Sequence, residues 1–103
     1  DWEYPATPDD VAAYADLLRD CRSAFREVPA LENATLAVTA HGYQNLGKRA
    51  FTAVDYVHLM AYDNSKDPDG HSTIASSQDQ AEKALAMGVP PSKLVLGVPF
   101  YGR

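Results

Sequence analysis

Three stretches of this sequence are apolar on both faces of an extended chain: TLAVTAH (35–41), VDYVHLMAY (54–62) and KLVLGVPF (93–100). A strand with one wet face alternates polar and apolar residues, because successive side chains point to opposite sides. These runs do not alternate cleanly. They call for cover on both faces, which helices flanking a parallel sheet supply and an exposed antiparallel ribbon does not. A shorter stretch, DWEY (1–4), reads as the tail of a further strand.

Helix patterns lie between the runs. In TPDDVAAYADLLRDCRSAFREV (7–28), Thr7 is placed as N-cap, Pro8 as the first helical residue and Asp10 three residues beyond the cap. Val11, Tyr14, Ala15, Leu18, Cys21 and Phe25 follow at steps of three and four. A short helix is expected over 46–53, weakened by Gly47, and a third over about 76–87, stopped by Gly88 with Pro90 just beyond. The order is strand tail, helix, strand, helix, strand, helix, strand. That is an α/β chain of parallel units, and at 103 residues it has the size of one small domain.

Composition narrows the function. Apolar residues make up 46% and charged residues 22%, a globular balance. With a net charge of −5 and no basic stripe, no nucleic-acid partner is expected. No apolar run is long enough to suggest a membrane span, and no leader is visible. Cys21 is the single cysteine and reads as a small packed helix residue. The polar loop DNSKDPDGHS (63–72) contains DPDG but lacks the later glutamate of a calcium loop, so neither metal nor cofactor is expected. His71 in this loop reads as exposed or packed beneath it.

Chemistry-bearing residues gather where the strands end: DWEYP, AHGYQ, MAYDN and FYGR. In α/β barrels, functional groups come from the carboxyl ends of several strands. Asp1 and Glu3 would share a strand face. Two carboxyls so close disfavour joint ionisation, which suits one of them to donating a proton near neutral pH. Taken alone, the pair reads first as a surface turn with two solvated acids. Met60 and Tyr62 share a face, and Asp63 follows at the tip; these can hold a neutral polar ligand such as an amide, or be a core methionine and a packed tyrosine. His58 reads as a hydrogen-bonded core residue. Gly97 and Pro99 imply a tight bend or close packing, and Tyr101 and Arg103 would lie near the rim. His41 and Tyr43 are further candidates of unclear facing.

DWEYP, VDYVHLMAYD and MGVPPSKLVLGVPFYGR, in this order and over the whole chain, resemble glycoside hydrolase family 18, the chitinase family. The 63–72 loop looks most like bacterial members. The resemblance implies part of a (β/α)8 TIM barrel, from the end of its fourth strand through its seventh, with 1–103 as a partial catalytic domain. It implies that Glu3 is the catalytic acid and Asp1 the last aspartate of the family's Asp-x-Asp-x-Glu signature, with Tyr62 hydrogen-bonding a substrate acetamido group. Met60, Asp63, Tyr101 and Arg103 would line sugar positions. The expected activity is hydrolysis of β-1,4-linked N-acetylglucosamine polymers, chitin or chitooligosaccharides, by a substrate-assisted retaining mechanism. The remaining alternatives are an endo-β-N-acetylglucosaminidase, a peptidoglycan hydrolase, or a non-catalytic chitin-binding lectin. Family likeness also implies secretion, and that these residues alone, lacking the other strands, have little or no activity.

Overall fold

A computed structural model describes residues 2–66 and 70–103. The elements run α1 (Pro8–Glu27), β1 (Ala37–Ala40), α2 (Gly47–Ala53), β2 (Tyr56–Leu59), α3 (Ile74–Ala86) and β3 (Leu94–Leu96), with 3-10 turns at Pro29–Leu31 and Pro91–Lys93. The strands form one parallel sheet in the order β1-β2-β3. Val38 pairs with Val57, and Val57 with Leu94. The chain is therefore mixed α/β with a parallel sheet.

Each helix starts for a local reason. At α1 the capping box is complete: Asp10 N donates to Thr7 Oγ1 at 3.1 Å, and Thr7 N donates to Asp10 Oδ2 at 3.0 Å. These bonds hold the Asp10 carboxyl below its usual pKa range. Thr73 caps α3 by accepting from Ser76 N, and Gly88, φ 99°, follows its last turn. At α2 the orphan carbonyls of the last turn are met from far away. Lys93 Nζ reaches Val54 O at 2.7 Å and Phe51 O at 2.9 Å.

The core lies between the helices and one side of the sheet. Tyr14, Ala15 and Leu18 of α1, Ala50 and Phe51 of α2 and Ala84 of α3 pack with Val38, Ala40, Val57 and Leu59 of the strands. Residues of opposite parity face away from the helices, so β2 reads exposed, buried, exposed, buried, with Tyr56 and His58 open to solvent. This corrects two expectations. The helices cover one face of the sheet, not both, and His58 is exposed beside the Tyr56 ring at 6.4 Å rather than buried in the core. The strands are also shorter than the apolar runs, and residues 2–4 are not a strand. Glu3 sits in a bend, so strand alternation does not apply there.

Gly97 allows β3 to close on β2. A Cβ there would lie 2.5 Å from Leu59 O, the atom that Gly97 N bonds at 2.8 Å.

At the amino-terminal edge of the sheet, Arg22 of α1 donates to Asp55 Oδ2 and to the carbonyls of Ala53 and Ala34, while Leu36 N donates to the same carboxylate at 2.8 Å. The Arg22 bond and then the Leu36 bond hold the Asp55 carboxyl below its ordinary value. A carboxyl with a lowered folded pKa stabilises above its unfolded value and loses that contribution as pH falls through the folded one. Asp55→Asn should therefore lower the thermal midpoint of the full-length protein above about pH 5, by an amount corresponding to about 1–2 kcal/mol. The gap to the parent protein should close as pH falls below about 4. Differential scanning calorimetry across pH checks this, and a gap that stays constant would contradict it.

Candidate active site

The carboxyl ends of β2 and β3 meet at one edge of the sheet. Asp63, four residues past β2, takes a left-handed conformation with φ 58°, which aspartate tolerates better than most non-glycine residues. Its carboxylate is held from the segment after β3. Tyr101 donates its hydroxyl to Oδ1 at 2.9 Å. Arg103 donates Nε to Oδ1 at 2.7 Å and Nη2 to Oδ2 at 3.1 Å, a bidentate fork. The Arg103 bonds hold the Asp63 carboxyl below its usual range; desolvation opposes them and Tyr101 reinforces them. The Tyr101 phenol is pushed up by desolvation and by the bond it donates.

Rings brace this clamp. Tyr62 is half-buried and meets Tyr101 edge-on at 6.4 Å and 76°. Its hydroxyl makes no hydrogen bond among the described residues. His71 stacks on the other side of Tyr101 at 5.2 Å and 17°. The Arg103 guanidinium carbon lies 5.8 Å from the Tyr101 ring centre.

A second group rises from the end of β1. His41 Nδ1 lies 3.2 Å from Met60 O, and its ring stacks between Tyr4 at 5.6 Å and Tyr43 at 5.0 Å. Tyr4 follows Glu3, whose neighbouring carboxyl raises the phenol's pKa above its ordinary value. A cleft of about 460 Å³ lined by His41, Tyr43, Asp63 and Ser76 joins the two groups.

A larger cavity, about 770 Å³, opens at the opposite edge, lined by Arg19, Arg22, Arg49 and Lys93 among others. Arg19 and Arg49 are engaged by Asp16, Arg22 by Asp55, and Lys93 by carbonyls of the α2 end. Volume alone does not make it the site, because none of the residues that mark the strand ends in the sequence reaches it.

The structure thus brings Tyr62, Asp63, Tyr101 and Arg103 together. Met60 is buried, 9% exposed, and contributes its carbonyl to His41. Glu3 is exposed on the neighbouring segment, and no hydrogen bond joins it to Tyr62 or Asp63 among the described residues. Asp1 and the 67–69 part of the DPDG run lie outside the described residues. His71 is the residue that sequence reading undervalued. Its only signal is a histidine among carboxylates and glycine, and it lies in a polar loop, where no helical or strand period sets which way it faces. Among the described residues, the edge presents a phenol hydroxyl with no hydrogen bond, a carboxylate fixed by Tyr101 and Arg103, and the exposed Glu3 side chain on the neighbouring segment. Such groups can hydrogen-bond a neutral polar ligand.

The family model for glycosyl hydrolases family 18 matches residues 1–103. Chitinase 1 of Aphanocladium album is 30% identical over 129 residues, an alignment covering 100% of this chain and 30% of that protein. A probable chitinase 2 of Drosophila melanogaster is 29% identical, covering 100% of this chain and 25% of the relative. Among solved structures, the chitinase domain of the spore coat protein CotE from Clostridium difficile superposes with a TM-score of 0.71 at 25% identity, covering 99% of this chain and 36% of that one. The chain spans about a third or less of the length of these curated relatives.

Proposed function

The chain belongs to glycosyl hydrolases family 18, and from that membership we propose that it forms part of the catalytic domain of a chitin-hydrolysing enzyme. The observation that carries the reading is the convergence of Tyr62, Asp63, Tyr101 and Arg103, from two strands, on one carboxyl edge of a parallel sheet. Such edges are where parallel α/β folds place their chemistry.

On this reading residues 1–103 are the partial domain, running from the end of strand four to strand seven of a (β/α)8 barrel. Two features support it: the helices lie on one face only, as barrel winding requires, and the opposite face exposes Tyr56 and His58, as a face awaiting further strands would. About 250 residues are needed for eight units, so the 103 residues alone should not turn over substrate.

Glu3 protonates the glycosidic oxygen as the bond from that oxygen to the anomeric carbon breaks. The substrate's own N-acetyl carbonyl oxygen bonds to that carbon, giving an oxazolinium ion. Glu3 then takes a proton from the water that opens the ion, with net retention. This is the substrate-assisted departure from the two-carboxylate scheme. Asp1 orients the acetamido group and balances its charge, Tyr62 donates to its carbonyl, and Met60, Asp63, Tyr101 and Arg103 line the sugar positions. Secretion and a bacterial-type loop belong to the same proposal.

The test is product analysis with the full-length protein on colloidal chitin, an N-glycosylated protein and peptidoglycan. Release of chitooligosaccharides as the β-anomer is expected. Release from glycoprotein or peptidoglycan alone would move the assignment to another hydrolase on this scaffold. Binding of chitooligosaccharides without cleavage would make the protein a lectin.

A further inference from the structure

The loop that leaves β2 returns to it at one residue. Asp63 N donates to His71 Nδ1 at 3.0 Å, and the next amide, Asn64 N, donates to His71 O at 2.9 Å. Ser72 Oγ adds a bond to Ala61 O at 2.8 Å. On the far side of its ring, His71 Nε2 lies 3.3 Å from Tyr101 O, and the ring stacks on the Tyr101 phenol. The His71 side chain is 15% exposed, well below Asp63 at 38% and Arg103 at 62%.

Two groups of Asp63 face Nδ1: its amide nitrogen at 3.0 Å and its carboxylate Oδ1 at 3.4 Å, so the amide is the nearer partner. A backbone N–H can only donate, so Nδ1 must offer its lone pair to Asp63. A carbonyl can only accept, so Nε2 must carry the hydrogen that faces Tyr101 O. The ring is then a bridge between the ends of β2 and β3. It also resolves a backbone problem. Asp63 has turned left-handed, out of strand geometry, and its amide has no strand partner. The imidazole supplies the partner.

We infer that His71 is a positioning residue for the sugar-contact cluster: accepting at Nδ1 and donating at Nε2, it fixes the Asp63 backbone and the Tyr101 main chain, so that the carboxylate and phenol meet a ligand already paired. The inference rests on the proposed site at this edge for its functional half. It assigns His71 no contact with substrate and no proton transfer. Its work is preorganisation, which matters when catalytic groups must be held within a fraction of an ångström.

Two kinds of readout test it on the full-length protein. The first needs no activity. Nitrogen-15 NMR should show His71 Nδ1 bare and Nε2 protonated, and hydrogen exchange at the Asp63 amide should speed about tenfold or more in His71→Ala. A proton on Nδ1, or unchanged exchange, overturns the inference. The second uses a fluorogenic chitobioside. His71→Ala should lower kcat/KM about tenfold. His71→Asn, whose side-chain oxygen can accept from Asp63 N, should recover part of that loss. His71→Phe, which keeps the stack but neither hydrogen bond, should not. If Phe recovers as much as Asn, His71 only packs, and the inference is wrong. If the parent protein shows no hydrolysis while the NMR and exchange results hold, the chitinase reading fails and the His71 bridge stands.

Discussion

Replacing Glu3 by Gln in the full-length protein is expected to reduce kcat on a fluorogenic chitobioside by about 10³-fold, within the 10²–10⁴-fold range of a positioned general acid. The amide keeps the size and hydrogen-bonding reach of the carboxyl but has no acidic proton to give. Glu3 lies in an exposed bend beside the exposed Tyr4, away from the core. The fold should therefore be indifferent to the change, with the thermal midpoint moving little, as surface substitutions usually do. Affinity for chitooligosaccharide should persist, since the contacts assigned to Tyr62, Tyr101 and Arg103 are untouched. Steady-state kinetics together with isothermal titration calorimetry separate the two. A variant that hydrolyses within tenfold of the parent would remove Glu3 from the acid's role.

Asp63→Asn should lower kcat/KM by about 10- to 100-fold, chiefly by misplacing Tyr101 and Arg103. Asparagine fits the left-handed backbone as well as aspartate does, so the loss falls on the clamp. A neutral amide cannot accept the bidentate Arg103 fork, and the Tyr101 hydroxyl loses a charged acceptor. The sign of the pH dependence follows from the lowered Asp63 pKa. Arg103 holds the carboxylate ionised below the pH at which a free aspartate would protonate. The defect of Asp63→Asn should therefore stay constant from about pH 5 upward and shrink only at more acidic pH, where the parent clamp also protonates. A pH profile of kcat/KM for both proteins checks this. A defect that instead disappears between pH 6 and 7, or is absent throughout, would remove the ionised clamp from substrate recognition.

The two predictions stand on different parts of the inference from sequence. The α1 cap was legible because Thr7 and Asp10 are three residues apart, and one turn of helix brings that spacing together without help from the rest of the chain. Gly88 after α3 and the close approach at Gly97 were readable for a similar reason: a residue without a Cβ signals backbone geometry directly. The strand ends pointed to Tyr62, Asp63, Tyr101 and Arg103 as a group. Their partnership was not readable from composition or period, because Asp63 and Arg103 are separated by 40 residues and meet only through the parallel register of β2 with β3. His58 shows the opposite failure. An apolar strand implies burial on both faces, yet the helices of this chain reach only one.

By itself the sequence determined the three helices, the three later strands and their order, the capping box of α1, the glycine stop after α3 and the family, all of which rest on short-range spacing or on residue identity. Tertiary structure alone decided which face of the sheet is covered, that Lys93 closes the end of α2, and that His71 rather than a strand neighbour satisfies the Asp63 amide. Those contacts join residues across loops and helices, so no local period encodes them. They exist only once three parallel strands are in register and their carboxyl ends lie side by side.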